Sequence, residues 1–578
     1  MLVALSMAQM LDERWQDKIA REQVTARLGP TLAADLYPTG SFRDHPPVTS
    51  EPGISDPQPN IPDVPLDESQ VGRLPASDLR GLQELVAGVR RACADCVPGS
   101  NNWAVSGAHT ASGRAMLSND MHLGHGIPEI WYETELASHG AGAGFHAAGV
   151  TVPGLPFITV GHNDHIAWGF TALGGDVEDV YEEQVSDGQY KSVVNGSEVW
   201  KPLEHTREVI HVRGGADVTL DLERTEHGPV ITALLAHEQR TLSLRWTVYD
   251  PRANGLPLYA LNTASDWTSF RAALASWWEP TLNAVYADDQ GHIGYQAIGM
   301  IAERVGGLQG VPVPFARQPG GVAGLAAPGQ PAGTGEWTGF ILFEQLPSTL
   351  DPPGGIVATA NARVTPDGDP YPLTLEWANP YRNERIWKWL AGRQGLTAAD
   401  MLRLQNDVYS EVNQQLGYRF AYAIDHASRN TPRLRAAADL LRNWDGRMTV
   451  DSPAAAVLDA AKNAFWPAVL RPKLGNAWQV YSWSESDYAR EQLVMDAPAA
   501  WLPSGYKTWD DLLAAVVSDG LDQAHAPSAL GRWKFGETHT IAIEHPLFSL
   551  LPGFKRMSSV GPFPQSGDTT TVKQVKGT

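Results

Sequence analysis

The chain has 578 residues, 43% hydrophobic and 19% charged, which excludes a disordered or fibrous polymer. Lys and Arg number 44 against 65 Asp and Glu, a net charge of −21 that repels phosphate backbones and anionic lipid. Neither nucleic acid nor a membrane is an expected partner, and no apolar run approaches the roughly 20 residues of a bilayer span.

The opening "MLVALSMAQM" lacks the basic region and cleavage site of a signal peptide. Residues 3–28 suit one amphipathic helix, stopped by Gly29 and Pro30. Residues 44–66 are dense in proline and should run extended along the surface. Ser77 can cap a helix that carries Leu79, Leu82, Val86 and Val89 at three-to-four spacing. That helix ends near Cys93 and Cys96, the only two cysteines; with no second pair they read as incidental or as a local disulfide.

After Gly99 the texture changes to short alternating runs punctuated by Gly, Asn and Asp: "NNWAVSG", "RAMLSND", "IWYETELAS", "FHAAGVTV" and "FITVGHN". Further strands are expected over 205–250. Helices return at 267–278, after Thr397 with a capping-box pattern to Asp400, and near 452–465. Residues 303–334 are rich in Gly and Pro and read as a long surface loop. The final "GPFPQSGDTTTVKQVKGT" closes off no obvious element.

Standard catalytic signatures are missing: no G-x-S-x-G elbow, no H-E-x-x-H and no Walker A lysine. "HLGH" at 122–125 comes nearest to metal spacing among 17 histidines, and it reads as two loop histidines. Twenty tryptophans on an acidic chain admit a glycoside hydrolase, but they are spread along the whole chain, as core residues are, and no carboxylate pair stands out.

The stretch "CVPGSNNWAVSG" has two readings. One is a turn that feeds a strand. The other makes Ser100 a chain terminus in waiting. Gly99 offers no Cβ to obstruct attack by the Ser100 hydroxyl on its carbonyl. The amine so freed, with an unperturbed pKa of about 8, can take the hydroxyl proton.

The run "GSNNWAVSGAHTASGRAMLSNDMHLGHGIPEIWYETELASHG" resembles the start of the β chain in the penicillin acylase family of N-terminal-nucleophile hydrolases. The likeness continues through "PGLPFITVGHNDHIAWGFTALGGDVEDVYEEQ", "PTLNAVYADDQGHIGYQAIG", "GGIVATANARVTPDGDPYP" and "YRNERIWKWL", and on to "ETHTIAIEHPLF" and "FPQSGDTTTV". Upstream, "DERWQDKIAREQVTARLGP" is similar to the last long helix of the family's α chain.

The resemblance implies an α+β fold, a four-layer αββα sandwich. It implies cleavage between Gly99 and Ser100, giving residues 1–99 as a partial α-chain segment with a proline-rich spacer and 100–578 as the β-chain domain. The two self-derived chains would stay together as a heterodimer. Ser100 would be the nucleophile. The backbone N–H of Ala172 and the side-chain amide of Asn361 would form the oxyanion hole, His122 would help to hold the nucleophile, and Arg382, with Arg385 as the alternative, would orient the site.

The family's structural calcium ion would lie on Asp176, the Glu178 carbonyl and Asp179, with Asp369 or Asp367 as a further ligand. The family's α-chain glutamate falls near Asp17 and Lys18, where no Glu stands. The implied activity is hydrolysis of a β-lactam or another N-acyl amide. The alternatives are a truncated, inactive homologue or binding module, and, more remotely, the glycoside hydrolase. The chain reads as shortened at both ends relative to the family. Its compartment is periplasmic or extracellular if a preceding part carries a signal, and cytoplasmic otherwise.

Overall fold

The computed structural model describes residues 2–47, 99–138, 145–194, 197–235, 238–315, 335–551 and 553–576. The Ser77 helix, Cys93, Cys96 and most of the proline-rich stretch lie outside the described residues.

Two antiparallel sheets form the centre. The smaller is built from β1 (Gly99–Val105), β2 (Met116–His122) and the strand Ile356–Thr359, with β1 in the middle. The larger has seven strands. It runs from Ser348–Leu350 through Ile293–Ile298 and Leu282–Asp288 to β6 (Ile166–Ala172), β5 (Val160–Asn163), β4 (Phe145–Thr151) and β3 (Tyr132–Ser138).

Period-two alternation sorts the side chains into three apolar layers. Ala104 and Val357 face Val285, Ala287, Tyr295 and Ala297 between the two sheets. Trp103, Val105, Ile356 and Ala358 point the other way, against Ile386, Trp389, Met401 and Leu404 of the helices Tyr381–Leu390 and Ala398–Gln405. On the far side of the large sheet, Trp168, Phe170, Ala284 and Tyr286 pack on Leu258, Leu261, Phe270 and Leu274 from the helices Leu258–Asn262 and Trp267–Leu274. The order helix, sheet, sheet, helix is the expected four-layer sandwich. The tryptophans expected as core residues include Trp103, Trp168 and Trp501, all fully buried. Each large apolar side chain so buried contributes about 1.5–3 kcal/mol.

A helical bundle adjoins the sandwich. Its longest member, Pro453–Leu474, extends the helix expected near 452–465; Ser452 caps it by accepting the Ala455 N–H. Thr397 and Asp400 form the anticipated capping box.

The segment before Gly99 departs from expectation. One helix over 3–28 is replaced by α1 (Leu2–Asp12) and α2 (Trp15–Leu28), and Pro30 starts a short α3 (Pro30–Ala34) instead of ending the run. The break has a cause. Asp12 is buried and accepts the Thr281 N–H at 2.8 Å and its hydroxyl at 2.9 Å. Arg14 then turns its N–H out of helical register to Glu178 Oε2 at 2.6 Å. This segment feeds three cores: Leu11 joins the layer beneath the large sheet, Trp15 and Ile19 pack on Val180, and Leu36 and Tyr37 enter the helical bundle. Arg43 adds buried ion pairs to Glu384 at 3.0 Å and Glu491 at 2.6 Å.

Candidate active site

Ser100 is the second residue of β1, opposite Met121 on β2, and is 5% exposed. The strand Ile356–Thr359 pairs with β1 only as far as Asn102, so the backbone at Ser100 is open on that side. Asn361 fills the gap from two residues beyond that strand. Its backbone is left-handed (φ 66°), a conformation Asn tolerates better than most residues, and this aims the amide back at β1.

Asn361 Oδ1 accepts the Ser100 N–H at 2.7 Å, while Nδ2 donates to the Ala172 carbonyl at 2.8 Å. The Ser100 hydroxyl donates to the Gly99 carbonyl oxygen at 2.6 Å, so the nucleophile candidate already lies at the group it would attack.

Ala172 closes β6 opposite Leu282, and the next residue, Leu173, donates its N–H to Thr281 at 3.1 Å. Ladder bonds fall on alternate residues of an antiparallel pair, so the Ala172 N–H is directed away from that neighbour. On its other side β5 pairs with β6 only to Trp168. The Ala172 N–H therefore leaves the strand on the side where Asn361 meets its carbonyl.

Arg382 holds the group together from the first turn of its helix. Nη1 donates to the Ser100 carbonyl at 2.8 Å and to Asn101 Oδ1 at 2.7 Å, and Nη2 donates to Asn361 Oδ1 at 2.9 Å. The guanidinium is buried, and desolvation lowers its pKa to about 10, opposed by the Asp120 charge. Arg385 points elsewhere, to Asp407 at 2.6 Å.

His122 lies across from Gly99 in the β1–β2 register, bonded to Asp120 at 2.8 Å and to Gln574 Oε1 at 3.0 Å. It flanks the Gly99–Ser100 bond, and its bonds run to these neighbours. His125, the other member of "HLGH", is exposed and 3.6 Å from Glu129.

Two groups of residues escaped sequence reasoning. Asn283 donates to Thr171 Oγ1 at 3.1 Å and to the Ala172 carbonyl at 3.2 Å, and accepts from the Tyr295 hydroxyl at 2.8 Å. The Thr171 and Thr359 hydroxyls are bonded at 2.8 Å, and Thr359 bonds on to Asn102, so a buried polar chain links both sheets behind the site. The C-terminal stretch is the second: Asn101 Nδ2 donates to the Val572 carbonyl at 2.7 Å, and Gln574 covers Gly99. Isolated polar residues in strands carry no one-dimensional signal of such partners.

The residues expected to bind calcium do not fit that ion. Asp176 and Asp179 each accept from the Lys18 ammonium at 2.8 Å. Arg304 binds Asp179 Oδ2 at 2.6 Å and Asp176 Oδ1 at 3.2 Å, and Trp337 also donates to Asp179 Oδ2 at 2.6 Å. The Glu178 carboxyl is turned to the Arg14 N–H, and burial raises its pKa well above the usual carboxylate range. Asp369 accepts the Tyr371 N–H at 2.8 Å, and Asp367 pairs with Arg363 at 2.7 Å. Among the described residues no group of three or more His, Cys, Asp or Glu is arranged to hold a metal.

Comparison with known proteins identifies the family and the fold. The family model described as penicillin amidase matches residues 1–578. The chain is 30% identical over 487 residues to penicillin acylase 2 proenzyme of Pseudomonas sp. (strain SE83), which covers 82% of this chain and 58% of that protein. It is 26% identical over 574 residues to acyl-homoserine lactone acylase QuiP of Pseudomonas aeruginosa, which covers 89% of this chain and 64% of the relative. The chain thus spans about three fifths of the length of these curated relatives. The solved structure of a thermostable penicillin G acylase from Alcaligenes faecalis shares the fold, with a TM-score of 0.59 at 22% identity over 81% of this chain and 86% of that one. The chain belongs to the penicillin amidase family.

Proposed function

We propose that this chain cleaves itself between Gly99 and Ser100 and then hydrolyses an N-acyl amide through an acyl-enzyme on Ser100. The observation that carries the reading is the Ser100–Asn361–Arg382 constellation, which gathers a hydroxyl, its own main-chain nitrogen and a fixed amide in one buried place.

In the uncut chain, Ser100 Oγ gives up its bond to the Gly99 oxygen and attacks the carbonyl carbon. The Gly99–Ser100 amide is exchanged for an ester, and water then hydrolyses that ester. The product is a free α-amine on Ser100 and a carboxylate on Gly99. Residues 1–99 and 100–578 remain joined through the buried contacts of Asp12, Lys18 and Arg43.

In the mature form the amine takes the Oγ proton as Oγ attacks the substrate's acyl carbon. The Ala172 N–H and the second hydrogen of Asn361 Nδ2, the one not held by the Ala172 carbonyl, donate to the oxyanion. Collapse of the intermediate expels the amine product, which takes the proton back from the Ser100 ammonium. Water then attacks the acyl ester, releases the acid and restores Oγ–H. His122 and Arg382 position these groups.

The substrate class is an amide with an acyl chain, as in the penicillins and acyl-homoserine lactones for which the relatives are named. The test is N-terminal sequencing with intact mass of the purified protein, alongside turnover of a phenylacetyl or fatty-acyl chromogenic amide. A new terminus at Ser100 and turnover are expected, and both should vanish in Ser100→Ala. Cleavage that persists in that variant rules the mechanism out.

A further inference from the structure

We propose that the Lys18 ammonium takes the place of a divalent cation at the Asp176–Asp179 loop, so that this chain joins the segment before Gly99 to the oxyanion strand without metal. The inference goes beyond the amidase reading and stands whether or not Ser100 hydrolyses amides.

Lys18 lies on α2 and is 5% exposed. Its Nζ lies 2.8 Å from each of three oxygens: Asp176 Oδ1, Asp179 Oδ1 and the Gln309 carbonyl. An ammonium has three N–H donors, and all three are used. Two of the oxygens come from one loop and the third from the distant Gln309 carbonyl, and they converge on one point, as ligands converge on an ion. That point is filled by nitrogen at hydrogen-bond distance. Calcium requires six to eight oxygens at about 2.3–2.6 Å, and it cannot share the position with Nζ.

Charge gives an independent argument. Two carboxylates face Lys18 and Arg304, and Arg304 contacts Asp179 at 2.6 Å with no side-chain exposure. Within these contacts two carboxylates are matched by two cations. A divalent ion could take that point only by displacing the ammonium, which would leave a buried cation without its ion pairs and is strongly unfavourable. Removing Lys18 reverses the balance, and exchanging it for Glu leaves three carboxylates against one guanidinium, a net charge that one divalent ion would neutralise.

The site also bears on the chemistry nearby. Asp176 follows Ala172 by four residues, and its N–H donates to the Leu373 carbonyl at 2.8 Å. Lys18 thus pins the turn that leads away from the oxyanion strand.

The experiment measures metal content by atomic emission and thermal unfolding of the full chain, with EDTA or with calcium chloride. The wild-type protein should hold far less than one equivalent of calcium, and its Tm should move by less than about 1 °C in either condition. Lys18→Glu should gain a calcium-dependent rise in Tm of several degrees, and Lys18→Gln a lower Tm with a weaker rise. One equivalent of calcium in the wild type, with a Tm that EDTA lowers and calcium restores, would overturn the proposal. The wild-type measurement decides even if Lys18→Glu fails to fold. Folded Lys18→Gln and Lys18→Glu proteins that are both indifferent to calcium would likewise sink it.

Discussion

Asn361 meets Ser100 through a single 2.7 Å hydrogen bond that the Ser100 N–H donates to its Oδ1, made possible by its left-handed backbone. The same contact suits both states of the chain. In the proposed reaction it would hold an amide N–H before cleavage and orient the amine afterwards, leaving the lone pair free to take a proton from Oγ.

Two variants separate the roles of Asn361. Asn361→Ala and Asn361→Gly both lose the side-chain donor, and kcat should fall about 10²–10³-fold in each. Only Ala is strained at φ 66°, by about 1–2 kcal/mol. Asn361→Gly should therefore melt higher than Asn361→Ala while being equally slow. Equal melting with unequal rates would contradict the assignment.

Arg382 joins three acceptors that no other cation reaches among the described residues. Arg382→Met should cost about 2–5 kcal/mol, because buried acceptors lose their donors. Arg382→Lys should recover only part of this, since one ammonium cannot reproduce the planar fork. Chemical denaturation of both variants on the Ser100→Ala background, where processing does not complicate the transition, measures the difference.

The residue before the nucleophile is restricted by Gln574. A Cβ on Gly99 would lie 2.2 Å from Gln574 Oε1. Gly99→Ala should slow self-cleavage, and adding Gln574→Ala should recover much of the loss, because the obstacle is the end of a flexible side chain. A time course of intact mass for the single and double variants gives the coupling. No recovery would show that the defect lies elsewhere.

Two buried groups bind protons more tightly in the folded state. Burial pushes Asp44 up to about 7 from 3.8, so the stability it lends is full below about pH 4 and lost as pH rises through 7. Desolvation at His227 is outweighed by the hydrogen bonds its ring donates to Glu183 and Glu336, which raise it to about 9 from 6.5; its contribution is full below 6.5 and lost through 9. Glu183, lowered by the same contact, acts oppositely and weakens the fold in acid. Thermal unfolding from pH 5 to 9.5 should therefore show Tm declining. Asp44→Asn should flatten the lower part of that decline and His227→Gln the upper part.

Much of this was legible in the one-dimensional pattern. The alternation of Trp103, Ala104 and Val105 announces a strand with apolar surroundings on both faces, and β1 is that strand. The fold brings Ser100, Ala172, Asn361 and Arg382, read from separate motifs, to one place. Other features depend on partners far along the chain. The acidic loop at Asp176–Asp179 reads as a metal site until Lys18, about 160 residues earlier, is known to occupy it. The helix break at Asp12 follows from Thr281, 269 residues away. Local spacing carries neither.

The contact between Asn101 and Val572 joins residues 471 positions apart, immediately beside the Gly99–Ser100 bond. A ribosome adds about 5–20 residues per second, so the partner emerges on the order of a minute after the nucleophile. The surroundings of Ser100 stay incomplete throughout that interval. On the proposed reaction, translation itself would set a delay before self-cleavage, and the segment before Gly99 would have time to dock while still covalently attached.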